Sequence, residues 1–324
     1  MYEAYAGWGE ESTWATEVAR AQFARIHSAS AMNHNIERPV FTHLQGRDPV
    51  SAGRFTNVQS GSATLAVPLV YDGVGKLLKH CFGDVTDSGA PSTYTHAHVT
   101  GHTVATSPYT RASSPLVGLS VEMHYAFPDT SVESRLLTGG RVTSFGFDYA
   151  QNQEDILTVE LAGERVILEP KTTATYPDYS ADLVLPSEVA VTIDAGTHII
   201  LGCTINVNNA LDTERAPLGS AYVAAAQPTG KREVTGTLKV QYTATDGDAL
   251  YDKFIAGTTA KLVVTSTGSG VNVMTTTIED IRFTGMDVPM EEGELIDVDL
   301  PFVALYDGTN PIIKLDEVNA TATT

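Results

Sequence analysis

Cysteine is nearly absent: Cys81 and Cys203 are the only two in 324 residues, so no disulfide framework holds the chain together. Basic residues are scarce as well. Lys and Arg number 20 against 39 Asp and Glu, a net charge of −19, and a surface of that sign repels phosphate backbones. Capture of nucleic acid through charge is not expected. No uninterrupted apolar stretch approaches the roughly 18 residues of a membrane-crossing helix, and the opening MYEAYAGWGEESTW has neither the basic nor the apolar region of a secretory signal. The expectation is a chain made and kept in a reducing cytoplasm, where the sequon Asn319-Ala320-Thr321 has no use.

Catalytic motifs are missing too. The stretch DGVGKLLKHCFGD, residues 72–84, sets Gly75 beside Lys76 as a phosphate loop does. Val70 stands where such a loop needs its first glycine, and Leu77 where it needs a hydroxyl for magnesium. Asp246-Gly247-Asp248 begins like a calcium loop, but the later ligands are absent because an apolar helical pattern follows at once. There is no Gly-x-Ser-x-Gly elbow, and the pairs Glu10-Glu11 and Glu291-Glu292 read as solvated surface in terminal or turn-like settings. The histidines come closest to chemistry. In TYTHAHV, alternation places His96 and His98 on one face with Tyr94, and His102 follows, so a zinc ion is conceivable. No local carboxylate supports those imidazoles, and His124 lies on a separate strand; polar strand and loop histidines are the simpler account. Neither a cofactor nor an enzyme is expected.

What the chain does have is glycine, 27 of them, with abundant Thr and Val, a β-rich composition on a length sufficient for two domains. Self-comparison finds a repeat. A shift of 173 lays Thr64-Leu65-Ala66-Val67 on Thr237-Leu238-Lys239-Val240 and Leu77 on Leu250. Val74, Leu77, Leu78, Cys81 and Phe82 form one helical face, opened by Asp72 and closed by Gly83. Gly247, Leu250, Tyr251, Phe254 and Ile255 predict a second such face, with Thr245 or Asp246 as cap and Gly257 past the end. A shift of 139 lays Val142 on Ile281 and ILTVEL (156–161) on LIDVDL (295–300). The first copy therefore carries about 34 extra residues, an insertion at about 84–114. Each copy reads as strand, long polar stretch (33–62 and 208–235), strand, helix and further strands, a small sandwich or barrel with one flanking helix. The expected division is an arm at 1–25, a first copy at 26–169, a linker at 170–185 and a second copy at 186–324.

GWGEESTWAT near the start, GKREVTGTLKVQYTATDGDALYDKFIAGTTAKLVV (230–264), IEDIRFTG (278–285) and GELIDVDLPFVALYDGT (293–309) resemble, in order and spacing, the major tail tube proteins of long-tailed, non-contractile bacteriophages. The resemblance implies two tandem tail-tube sandwich domains in a structural virion protein of the tail, made in the host bacterial cytoplasm. It implies rings of three chains as a pseudo-hexamer, or of six chains, stacked head to tail, with genomic DNA passing through unbound. Tail terminator, tape measure and distal tail proteins are the implied partners. The long polar stretches become inter-ring loops, with Arg38, Arg47, Arg54, Asp212, Arg215 and Arg232 as contact candidates. Lys239, Gln241 and Thr243 become lumen candidates. A β-sandwich receptor-binding or decoration module shares the composition and is the alternative; a zinc hydrolase built on the three histidines is a third.

Overall fold

The structure is a computed structural model that describes residues 4–36, 40–45, 48–54, 58–90, 92–100, 116–125, 133–196, 198–243, 246–288 and 296–322. Its elements are β1 (Tyr5–Glu11), β2 (Gln22–Arg25), β3 (Ala31–Ile36), β4 (Val40–Gln45), β5 (Asp48–Arg54), β6 (Gln59–Pro68), α1 (Gly75–Phe82), β7 (Val85–Ala90), β8 (Thr93–Val99), β9 (Gly118–His124), β10 (Glu133–Ala150), β11 (Ile156–Gly163) and β12 (Arg165–Pro170). They continue with β13 (Val189–Ile193), β14 (Ile200–Asn208), β15 (Leu211–Asp212), β16 (Gln227–Pro228), β17 (Glu233–Tyr242), α2 (Asp246–Ala256), β18 (Ala260–Thr267), β19 (Val273–Phe283), β20 (Ile296–Leu305) and β21 (Lys314–Asn319). The alternating Val- and Thr-rich runs are strands, as their period of two requires. The protein is a mainly β sandwich.

The strand pairings, all antiparallel, fall into two sets of the same plan. In the first, one layer runs β1, β9, the early part of β10, then β12; the other runs β3, β6, β11, then the later part of β10. In the second, β13, β18, β19 and β21 form one layer, and β14, β17, β20 and the end of β19 the other. The long strands β10 and β19 serve both layers because each breaks register at an irregularity, where a strand bends. Those irregularities fix the correspondence. Leu137 lies opposite Val121 and Gly140 opposite Leu119, as Ile278 lies opposite Leu262 and Ile281 opposite Ala260. Leu137 thus corresponds to Ile278, a shift of 141 and not the 139 of the sequence match. Upstream the 173-residue shift holds: Ala63 pairs with Met32 and Leu161, and Gly236 pairs with Ile205 and Phe302.

The later part of β10 also pairs with β14, from Ser144 opposite Asn208 to Ala150 opposite Gly202. One sheet therefore runs β3, β6, β11, β10, β14, β17, β20, β19 without a break. Alternate residues of this sheet, among them Leu65, Val159, Phe147, Ile205 and Leu238, turn into a core that Trp8, Val121 and Leu137 enter from the opposite layer. Each such burial contributes about 1.5–3 kcal/mol before entropy is counted.

Helix α1 packs Leu77, Leu78, Cys81 and Phe82 out of solvent and ends at Gly83, whose φ of 107° is open to glycine and whose N–H reaches the Lys79 carbonyl at 2.7 Å. Gly75 and Lys76 are simply its first turn. Val74 is its N-cap, with no side-chain cap, while the expected opener Asp72 accepts from the Gly73 N–H instead. In α2 the expected face is only partly buried: Leu250 is covered, but Tyr251 is 43% and Ile255 65% exposed. Residues 1–25 are not an arm. All seven residues of β1 pair with β9, and Trp8 is fully buried, because the Gly-containing strand AGWGE has a partner more than 100 residues away. The insertion folds as the hairpin β7–β8 and adds to β21, with His98 opposite Leu315; its residues 101–115 lie outside the described ones. The segment after Pro170 forms no strand before β13, yet Val184 is fully buried and bonds through its N–H to the Leu69 carbonyl at 3.0 Å.

Candidate functional site

The eight-stranded sheet shows its other face to solvent, and period two decides what that face carries. One residue from each of six strands illustrates it: Asn33, Ser62, Thr158, Ser144, Thr204 and Thr235, short polar side chains that reach little beyond the backbone. Exposed charges on this face include Asp148, Glu160, Glu233, Asp297 and Asp299 against Lys239 and Arg282. Lys239 Nζ lies 3.4 Å from Asp297, so a carboxylate already answers that ammonium. Of the lumen candidates, Lys239 and Gln241 alternate on this face; Thr243 lies past the end of β17, where its carbonyl accepts from the Gly247 N–H at 2.8 Å at the start of α2.

The two long polar stretches are not structureless. β4 pairs with β5 inside residues 33–62, and β15 with β16 inside residues 208–235. Arg38 and Arg47 lie outside the described residues, and Arg54 closes β5. Asp212 accepts from the Glu214 N–H, and the Arg215 carbonyl accepts from the Ala224 N–H at 2.8 Å. Arg232 points inward and donates to the Phe82 carbonyl at 3.0 Å, a contact within the chain. The second stretch also reaches back to the first set of strands, the Val223 N–H donating to the Gln59 carbonyl at 3.0 Å.

The histidines are interior residues of the docked hairpin. His96 is fully buried, its Nδ1 2.7 Å from Asp87 and its Nε2 2.9 Å from the Thr321 carbonyl. Burial lowers its pKa, but the Asp87 hydrogen bond, the charge of Glu317 and the Thr321 carbonyl raise it more, so the net direction is upward. His98, also fully buried, lies 3.2 Å from Glu317. His102 is outside the described residues, and His124 lies with its ring 5.3 Å from that of Tyr5. Among the described residues no group of three or more His, Cys, Asp or Glu is placed to hold a metal ion.

Sequence reasoning missed the buried carboxylates. Glu11, expected as solvated surface, is 5% exposed and accepts from the Gly139 N–H at 2.9 Å and Ser120 Oγ at 2.8 Å. Glu10 pairs with Lys79 at 2.7 Å; despite partial burial, His80 and Lys79 hold its pKa down at about 2. Fully buried Glu122 accepts from the Tyr5 hydroxyl and from Thr172 Oγ1, and lies 2.9 Å from Arg20 Nε. Asp155 is fully buried at the edge of a 540 Å³ cavity, and burial pushes its carboxyl up to about 7. The one local signal was alternation in β1, which puts Glu11 on the same face as Gly7 and Gly9.

A sandwich whose strand sets fuse into one sheet, with short polar groups outward and its titratable groups locked in structural pairs, is the architecture of a structural protein. Residues 3–304 match the family model described as phage tail tube protein, and the chain belongs to that family. It is a structural component of the bacteriophage virion tail, one that self-assembles into a tube. No curated protein matches the chain. Among the described residues no helix is long and apolar enough to cross a membrane.

Proposed function

We propose that the chain is two tail-tube domains in tandem, residues 26–169 extended by β1 and residues 186–324, and that three chains close into a ring of six domains. Rings stack head to tail, and the tube conducts genomic DNA during ejection. The observation that carries this reading is the junction of β10 with β14, where one sheet passes from the first strand set to the second within a single chain. Heterologous contacts of that kind close into rings, and merged sheets remove the exposed edges that invite aggregation. The outward face of the sheet lines the bore. Its short polar groups and surplus of carboxylates repel the DNA backbone over about 8 Å at physiological salt, so the strand slides without sticking. The hairpins β4–β5 and β15–β16 meet the next ring, and the tail terminator, tape measure and distal tail proteins meet the ends.

Electron microscopy of the purified protein tests the reading. Stacked rings with three-fold symmetry and six similar lobes are expected; dispersed monomers overturn it, and rings with true six-fold symmetry overturn the count of three.

A further inference from the structure

The edges that meet inside the chain at β10 and β14 have counterparts at the two ends of the eight-stranded sheet. Among the described residues β3 pairs with β6 alone, and it stands where β14 stands at the 173-residue shift. Past β19, residues 284–288 run without a strand partner among the described residues, and they stand where residues 143–147 stand at the 141-residue shift.

Three further observations support that equivalence. Thr143 Oγ1 donates to the Glu160 carbonyl at 3.2 Å, and Thr284 Oγ1 to the Pro301 carbonyl at 3.2 Å, the same pair of positions. AMNHN (31–35) matches TINVN (204–208) at both asparagines and at the apolar second place. Phe145 and Phe147, beside β14, are 3% and 1% exposed, whereas their counterparts Met286 and Val288 rest only partly buried against the core. The neighbouring helix repeats the contrast: Leu78 and Phe82 of α1 are fully buried, and their counterparts Tyr251 and Ile255 of α2 are exposed. Apolar groups wait at this edge for a strand.

We propose that residues 284–288 of one copy add antiparallel to β3 of a second copy in the register of the internal junction. Met286 then lies opposite His34, Asp287 opposite Asn33 and Val288 opposite Met32, as Phe145, Gly146 and Phe147 lie opposite Val207, Asn206 and Ile205. Internally the Asn209 N–H donates to the Thr143 carbonyl at 2.8 Å; between copies the Ile36 N–H donates to the Thr284 carbonyl. Backbone pairing supplies the affinity, and the alternate apolar side chains fix the register. This pairing rests on the tube reading and names its self-contact.

The test combines Asn33→Cys with Asp287→Cys. Opposed residues in an antiparallel pair lie about 4.5–5.5 Å apart at Cα, within disulfide reach. The two native thiols are buried and do not compete. Oxidation of assembled tubes is expected to give covalent multimers that stop at three chains. The control pair Asn33→Cys with Gly285→Cys is diagonal, about 7–8 Å apart, and is expected to stay unlinked. Tubes that form without the cross-link, or that link the control pair instead, overturn the pairing and leave the tube reading standing. A ladder running to six chains supports the pairing and overturns the three-chain ring, while a wild-type protein that forms no rings overturns the tube reading and the pairing together. Hydrogen exchange on the unmodified chain covers the case of variants that do not assemble. Amides at 285–288 are expected to slow at least about tenfold on assembly, and unchanged rates in assembled tubes overturn the pairing.

Discussion

Arg232 Nη1 donates to the Phe82 carbonyl at 3.0 Å, fastening the approach to β17 to the C-terminal end of α1. A guanidinium there also meets the partial negative charge of the helix terminus. The helix of the first strand set is thus held by a residue of the second.

Replacing Arg232 with Met keeps most of the aliphatic stem and removes the donor. Urea unfolding of the free chain is expected to show a loss of about 1–2 kcal/mol. A variant as stable as the parent would mean that the contact is idle.

Asp155 sets one limb of the pH dependence. Its folded pKa, about 7, lies above the ordinary carboxylate range, because burial outweighs the Ala150 amide, with Asp148 and Glu154 adding repulsion. Such a group favours the folded state fully at acid pH and loses that contribution as pH rises through about 7. Asp155→Asn is therefore expected to be about 1–3 kcal/mol more stable than the parent near pH 8 and indistinguishable near pH 4, as read from denaturation midpoints.

His96 titrates with the same sign. Its raised pKa means the ion pair with Asp87 stabilises the hairpin fully below about 6.5 and is lost as pH climbs past the raised value. Amide exchange in β7 and β8 is expected to be faster at pH 9 than at pH 6 after correction for intrinsic rates. His96→Asn is expected to remove that difference, at a loss of about 1 kcal/mol at pH 6.

The bore-lining reading makes a prediction about charge. Asp297→Lys combined with Asp299→Lys alters exposed side chains and is expected to leave tubes intact while slowing DNA release from phage that carry it. Added salt is expected to restore part of the rate, since screening weakens phosphate capture. Ejection kinetics followed by dye fluorescence decide the matter: an unchanged rate at low salt counts against electrostatic lubrication.

Much of the fold was legible because its signals are local. The apolar alternation of β6 and β17 and the helical spacing from Leu77 to Phe82 depend only on neighbours a few residues apart. The match of ILTVEL to LIDVDL was also visible, but it settled two residues from the shift that pairing requires. A slip of two leaves every side chain on its own face, so composition has no means of detecting it; the strand irregularities and the paired bonds of Thr143 and Thr284 do. The histidines were placed on one face by alternation alone, yet Glu317 and Asn319, which occupy them, lie more than 200 residues away in sequence. Arg232, legible as a loop cation, turns inward because the Phe82 carbonyl is there to meet it.

The sequence by itself determined which segments are strands, which two are helices and which face of each is apolar, since side-chain period and backbone preference act over a few residues. Only the tertiary structure decided which edges meet, in what register, and which carboxylates are enclosed. Those outcomes depend on backbone hydrogen bonds between distant segments, and every residue type offers the same N–H and C=O, proline's missing donor aside.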